Sequence, residues 1–144
     1  MDIRILGPGD EDLLRGAVEL ADEGPLDNDR AARMLAEPDL FNVVALDDGR
    51  PVGFIYGYVL RRYEAVSFFI YSVDVAESHQ RRGVAKAMLA RLSAEGHAGR
   101  WDEMFVFTNR SNGAAMALYA SAGGMSPPPD DVVMFDFETP SSRP

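Results

Sequence analysis

The sequence predicts one α/β (α+β) domain: a mixed, mainly antiparallel sheet with helices on both faces, completed by a βαβα unit. Three observations predict it. Strand patterns at residues 41–46, 51–60 and 65–75 follow one another with only short turns between them, which reads as an antiparallel meander. From residue 73 onward the pattern becomes strand, helix, strand, helix, and a strand joined through a helix to a parallel neighbour crosses over right-handed. The 144 residues, 47% of them hydrophobic, suffice for one core and contain no linker or internal repeat, so residues 1–144 are expected to form a single domain.

In chain order, Ile3, Arg4, Ile5 and Leu6 alternate apolar and polar and stop at Gly7, Pro8 and Gly9, a first strand closed by a turn. Asp10 is the expected cap of the first helix. Leu13, Leu14, Ala17, Val18 and Ala21 recur there at helical spacing, with Glu11 and Asp12 at the positive end of the dipole and Gly24 and Pro25 as the stop. An acidic loop over residues 22–29 leads to a short helix over 29–37, with Ala32, Leu35 and Ala36 inward. The strands 41–46 and 51–60 are joined by Asp47, Asp48, Gly49 and Arg50, a hairpin turn of the Asp-Gly kind. Residues 61–64 break the pattern before the strand at 65–75. An amphipathic helix covers 83–96, with Val84, Ala87, Met88, Arg91 and Leu92 marking successive turns. The strand at 101–108 should pair parallel to residues 73–75, and residues 112–122 form a helix. Three prolines forbid regular structure over 126–129, the apolar run at 132–137 reads as a final strand, and 141–144 as a frayed tail.

Composition narrows the chemistry. Without cysteine, and with His79 and His97 as the only histidines, no disulfide, thiolate metal site or cysteine nucleophile is available, and no metal is expected. The formal charge of −9 disfavours a nucleic-acid partner and favours a cationic one. No apolar run reaches the roughly 20 residues of a membrane helix, and the N-terminus lacks a basic segment followed by an apolar core, so no membrane partner is expected and the location is expected to be cytoplasmic. A homodimer stands beside a monomer as the expected assembly.

The strand at 73–75 runs into a polar turn, and the turn opens a helix at Gln80, Arg81, Arg82, Gly83, Val84 and Ala85. The first N–H groups of a helix have no internal partner and sit at the positive end of its dipole, so this stretch forms an anion cradle suited to a pyrophosphate, with Arg81, Arg82 and Lys86 adding charge. Asn112, Ala115, Leu118, Tyr119, Ala122, Gly123 and Gly124 form a second group downstream, beyond an intervening strand. The two groups, Gln-x-x-Gly-x-Ala after a Val-x-Val strand and Asn…Leu-Tyr…Gly-Gly, resemble the acetyl-CoA signatures of the GNAT N-acetyltransferases over roughly residues 41–138.

The resemblance implies acetyl-CoA as co-substrate, direct attack by an amine in a ternary complex, and a gap between two splayed parallel strands, 72–75 and 103–108, in which pantetheine lies. Val73 and Val75 would contribute main-chain groups, Gln80 to Ala85 the pyrophosphate site, and Asn112 either the pantetheine contact or the cap of its helix. Tyr119 would give a proton to the departing thiolate; the alternative is a packed tyrosine bonded to backbone. Asp74, on one strand face with Ser72, is the candidate general base, the alternative being a carboxylate that bonds the diverging backbone.

A narrower resemblance joins Tyr58, Val59, Leu60, Tyr63 and Glu64, the run Phe69, Ile70 and Tyr71, and residues 130–137 to the type I aminoglycoside 3-N-acetyltransferases. It implies a polycationic acceptor held by Glu64, Ser72, Asp74 and Asp131, with the acidic loop nearby. The sequence departs from that group in a shorter first 40 residues and in Ser72, where those enzymes carry an aspartate. Other acceptors in the same chemistry are another small amine, a polyamine or a protein amine; a domain that binds and senses acetyl-CoA without catalysis is the alternative outside it.

Overall fold

Five strands lie side by side in sequence order, β1 (Asp2–Ile5), β2 (Leu40–Asp47), β3 (Arg50–Arg61), β4 (Val66–Val75) and β5 (Glu103–Val106). The first four are antiparallel neighbours and β5 pairs parallel to β4. The structure, a computed structural model, describes residues 1–127 and 131–140. The expected frayed tail at 141–144, and part of the proline run, lie outside the described residues.

Helices cover both faces. On one face, α1 (Glu11–Leu20) and α2 (Asn28–Ala36) bury Leu14, Ala17, Ala31 and Leu35 against Val44, Leu46 and Phe54. On the other, α3 (Val84–Ala98) sets Val84, Met88, Leu89 and Leu92 on Val43, Ile55, Phe68 and Ile70, and α4 (Gly113–Ser121) adds Leu118 and Tyr119. Strand alternation explains the split, since successive residues of β2 point to opposite faces.

Several local expectations shift. Asp10 does precede α1, but its carboxylate accepts from the Gly7 N–H at 2.9 Å and makes no side-chain cap to the helix. The cap of α2 is Asp27, whose Oδ1 accepts from the Arg30 N–H at 2.7 Å. Ala31 and Leu35 are buried there while Ala32 and Ala36 are exposed, because an alanine carries too little apolar surface to fix a helix's rotation. On α3, Ala87 is exposed and Leu89 joins the core in its place.

Two corrections concern the sheet. The fifth strand pairs with Ser67, Phe68, Phe69 and Ile70, not with residues 73–75. Residues 132–137 form no strand: they carry the β-type pattern, yet Val132, Val133, Met134, Phe135 and Phe137 are all exposed. A strand exists only where a neighbour accepts its hydrogen bonds, and none pairs with this run among the described residues.

One irregularity positions the rest. Tyr56 pairs with Ser72 and Gly57 with Ile70, so Tyr71 is an extra residue in β4, a β-bulge. Ile70 and Val73 therefore both face α3, and Ser72 and Asp74 face the α1 side. Bulges bend and twist the strand that carries them.

Candidate active site

Parallel pairing of β5 with β4 ends at Ile70 and Val106, while β4 runs on to Val75. Residues 71–75 thus have no strand partner on that side among the described residues, and their outward N–H and C=O groups, apart from the Val75 carbonyl that the Gln80 side chain engages, stand available to an extended ligand. This is the gap expected between residues 72–75 and the fifth strand. Beside it, a cavity of about 210 Å³ is lined by Ile70, Lys86, Ala90, Phe105, Val106 and Tyr119, among others.

At the end of β4 the chain turns through a short 3-10 segment (Glu77–His79) into α3. No side chain caps α3, and none of the N–H groups of residues 81–85 is taken up in the main-chain turn bonds. Arg81 at φ 63° and Gly83 at φ 78° both adopt left-handed backbone. For Arg81 this is a strained conformation, the kind retained where a site requires it. Gly83 has open space: a Cβ there would meet nothing within 4 Å. A bare, positively polarised helix start rimmed by exposed Arg81, Arg82 and Lys86 fits a pyrophosphate. Gln80 has a second role, donating its side-chain amide to the Val75 carbonyl at 3.1 Å and so tying the turn to the strand.

His79 bonds locally. Its Nε2 lies 2.7 Å from Asp47 Oδ2 and its Nδ1 2.7 Å from Ser78 Oγ, which ties the turn before the cradle to the β2–β3 hairpin. The hydrogen bond with His79, more than any other contribution, holds the Asp47 carboxyl below the usual carboxylate range.

Across the gap stand Tyr119 and Asp74. Asn112 caps α4, its Oδ1 accepting from the Ala115 N–H at 3.1 Å, so its side chain is engaged in the capping alternative. At the other end, Gly124 N donates to the Tyr119 carbonyl at 2.8 Å and Gly123 N to that of Ala120, a Schellman closure that requires the left-handed Gly123 at φ 93°. The signature residues on either side of Tyr119 therefore fix the turn that carries it. Burial first, and the Asp74 charge second, push the Tyr119 phenol above its ordinary value. Asp74 in turn accepts from Ser72 Oγ at 2.6 Å.

The other two expected acceptor residues lie elsewhere. Glu64 is exposed in the β3–β4 turn, eight residues of extended chain or roughly 25 Å from Ser72. Asp131 is exposed and makes no hydrogen bond or ion pair among the described residues, so the structure does not join either to Asp74.

A second cavity, of about 220 Å³, opens on the Asp74 side of the sheet beneath the α1–α2 loop. Glu23, Arg30, Asn42, Phe54, Tyr56 and Tyr58 contribute to its lining. The Tyr56 hydroxyl donates to the Glu23 carboxylate, 2.7 and 2.8 Å from its two oxygens. Tyr56 is opposite Asn42 on one side and Ser72 on the other, so a polar row crosses three strands toward Asp74. Asn42 and Tyr56 were not among the expected site residues. The available signal was an asparagine at an inward position of an otherwise apolar strand.

Residues 11–124 match the model of the acetyltransferase (GNAT) family. None of the curated proteins matches the chain. Among solved structures, an aminoglycoside acetyltransferase from an uncultured soil metagenomic sample, in complex with trehalose, superposes with a TM-score of 0.84 at 21% identity, covering 97% of this chain and 96% of that one. A second soil-metagenome aminoglycoside acetyltransferase gives 0.80 at 26% identity, with 96% and 98% covered. The AAC(6')-Iy enzyme in complex with a CoA-S-monomethyl-acetylneamine bisubstrate analogue gives 0.80 at 22% identity, with 96% and 97% covered.

Proposed function

The chain belongs to the GNAT acetyltransferase family and is an acetyl-CoA-dependent N-acetyltransferase; from that premise we propose that its acceptor is a small polycationic amine, foremost an aminoglycoside, attacked directly in a ternary complex. The observation that carries this reading is the opening between β4 and β5, with Tyr119 lining the cavity beside it and Asp74, bonded to Ser72, on the unpaired length of β4. Acetyl-CoA, when bound, supplies an acetyl thioester. The N–H groups from Gln80 to Ala85, with Arg81 and Arg82, hold its pyrophosphate, and the main chain at Val73 and Val75 holds the extended arm.

Asp74 takes the ammonium proton, because only the neutral amine is a nucleophile. Ser72 donates to one Asp74 oxygen and so turns the other toward the acceptor. Tyr119 stays protonated at neutral pH and donates to the sulfur as negative charge builds there. At ordinary values, about 10 for a phenol and about 8.5 for a thiol, full transfer is already uphill by about 2 kcal/mol, and the raised Tyr119 phenol makes it steeper. Its contribution is therefore a hydrogen bond that strengthens in the transition state, with solvent completing the protonation.

The polycationic acceptor is supported by the −9 charge, by the acidic α1–α2 loop over the second cavity, and by the fold shared with aminoglycoside acetyltransferases. The narrower likeness noted above is to 3-N enzymes, whereas a 6'-type enzyme is among the similar solved structures. Thiol release from acetyl-CoA with gentamicin-like aminoglycosides, spermidine and amine-bearing peptides tests the proposal, with product NMR identifying the acetylated nitrogen. Turnover on peptides alone would overturn it, as would tight acetyl-CoA binding with no acceptor used.

A further inference from the structure

We propose that Gln80 is a positioning residue that sets the register of the cofactor's extended arm on β4, by occupying the Val75 carbonyl with its side-chain amide; this rests on the placement of that arm along the main chain of Val73 and Val75.

Main-chain bonding alternates along an antiparallel strand, so the pairing with β3 decides which residues of β4 face the gap. The Ala76 N–H donates to the Val52 carbonyl at 2.8 Å, and Val75 is opposite Gly53. Val75 therefore turns its N–H and C=O away from β3, as does Val73 opposite Ile55, while the Asp74 main chain between them turns toward β3. The open edge is thus one pattern given twice, an N–H and a C=O at Val73 and the same pair at Val75. Were the two repeats alike, an extended ligand could shift by one of them, about 7 Å, and still find bonds. A shift of that size would carry the thioester out of hydrogen-bonding reach of Tyr119.

Two features remove the equivalence. Gln80 Nε2 lies 3.1 Å from the Val75 oxygen, on the side that the strand leaves open, so a free carbonyl remains only at Val73. A ligand N–H that belongs at Val73 would meet an engaged carbonyl if it slipped toward the cradle. Slippage the other way runs into Tyr71, the extra residue of the bulge, where the two-residue repeat breaks. The same amide also steadies the support of the arm. The peptide joining Val75 to Ala76 is bonded through its carbonyl to Gln80 and through its N–H to Val52. Gln80 itself is exposed and adjoins Arg81 and Arg82 at the rim of the cradle, so one side chain ties the pyrophosphate end of the ligand to the strand that carries the reactive end.

The test uses the full chain with isotope-labelled valine and two acyl donors: acetyl-CoA, and S-acetylpantetheine, which lacks the pyrophosphate and has only the strand to place it. Gln80→Met keeps the length of the side chain and removes the donor, and Gln80→Arg restores a donor. In the wild type, CoA and pantetheine should each move the Val73 and Val75 amide signals to a single bound position in NMR titration. In Gln80→Met those signals should split or broaden with pantetheine, and stay single with CoA, which the pyrophosphate still anchors; Gln80→Arg should restore the single position. The kcat for acetylation of a gentamicin-like aminoglycoside should fall about twofold in Gln80→Met with S-acetylpantetheine, the share lost to a second equal register, and hardly at all with acetyl-CoA. The valine signals decide whether or not that acceptor is used. Single sharp signals in Gln80→Met with pantetheine, the same disturbance with both ligands, or tighter pantetheine binding once the amide is gone would overturn the inference alone. Val73 and Val75 signals that stay in place when CoA binds the wild type would overturn the placement of the arm on β4 and the inference with it.

Discussion

Tyr119 illustrates what a single side chain contributes. Tyr119→Phe keeps the ring and its packing and removes only the donor, so kcat should fall by roughly tenfold to a thousandfold with little change in the acetyl-CoA KM. The Asp74 charge raises the phenol, so Asp74→Asn should lower the Tyr119 pKa, read by NMR titration of labelled tyrosine. An unmoved titration would separate the two groups. At this scale the sequence was informative wherever a role is local. The cradle from Gln80 to Ala85, the Asn112 cap and the closure around Tyr119 are each set by near neighbours. Glu23 and Tyr56 stand 33 residues apart, and nothing in either neighbourhood foretells their bond. Glu64 shows the converse, an acid that strand length carries to the end of β4 away from Asp74.

At the scale of elements, the join of β4 to α3 has two testable parts. Gly83→Glu should abolish acetyl-CoA binding in calorimetry while the fold is retained; unchanged affinity would place the pyrophosphate elsewhere. Gly83→Ala leaves room for the methyl group and should mainly carry the left-handed backbone penalty, about 1–2 kcal/mol in unfolding experiments. The Asp47–His79 tie predicts a pH signature. A carboxylate with a lowered folded-state pKa stabilises the fold above its unfolded value and loses that effect as pH falls through the folded one. Asp47→Asn should therefore lower Tm at neutral pH, with the gap closing below pH about 4. Element type was legible from periodicity throughout residues 1–122. Register was not, because periodicity names the face of a strand and not its partner. The pairing of β5 with Ser67 to Ile70, and the missing strand at 132–137, both follow from that limit.

Over the whole molecule, sequence order becomes spatial order, β1 through β5, and this simplicity made the fold class readable from the chain alone. The two cavities lie on opposite faces of the sheet, the first touching β4 at Ile70 and the second lined from β2 and β3. The course of β4 beside the first depends on a single inserted residue. A chain lacking Tyr71 would keep Ser72 and Asp74 on the same face, since Ile70 and Ser72 would then alternate as in an ordinary strand. It would lose the bend, and pairing with β5 could zip onward past Val106. The shortened protein is expected to melt at a higher temperature and to bind acetyl-CoA less well, by thermal unfolding and calorimetry respectively; unchanged binding would show that the bulge does not hold the gap open. On the proposed reading Tyr71 is a spacer that withholds hydrogen bonds from the sheet, leaving an open edge of β4 at which the cofactor would supply the missing strand.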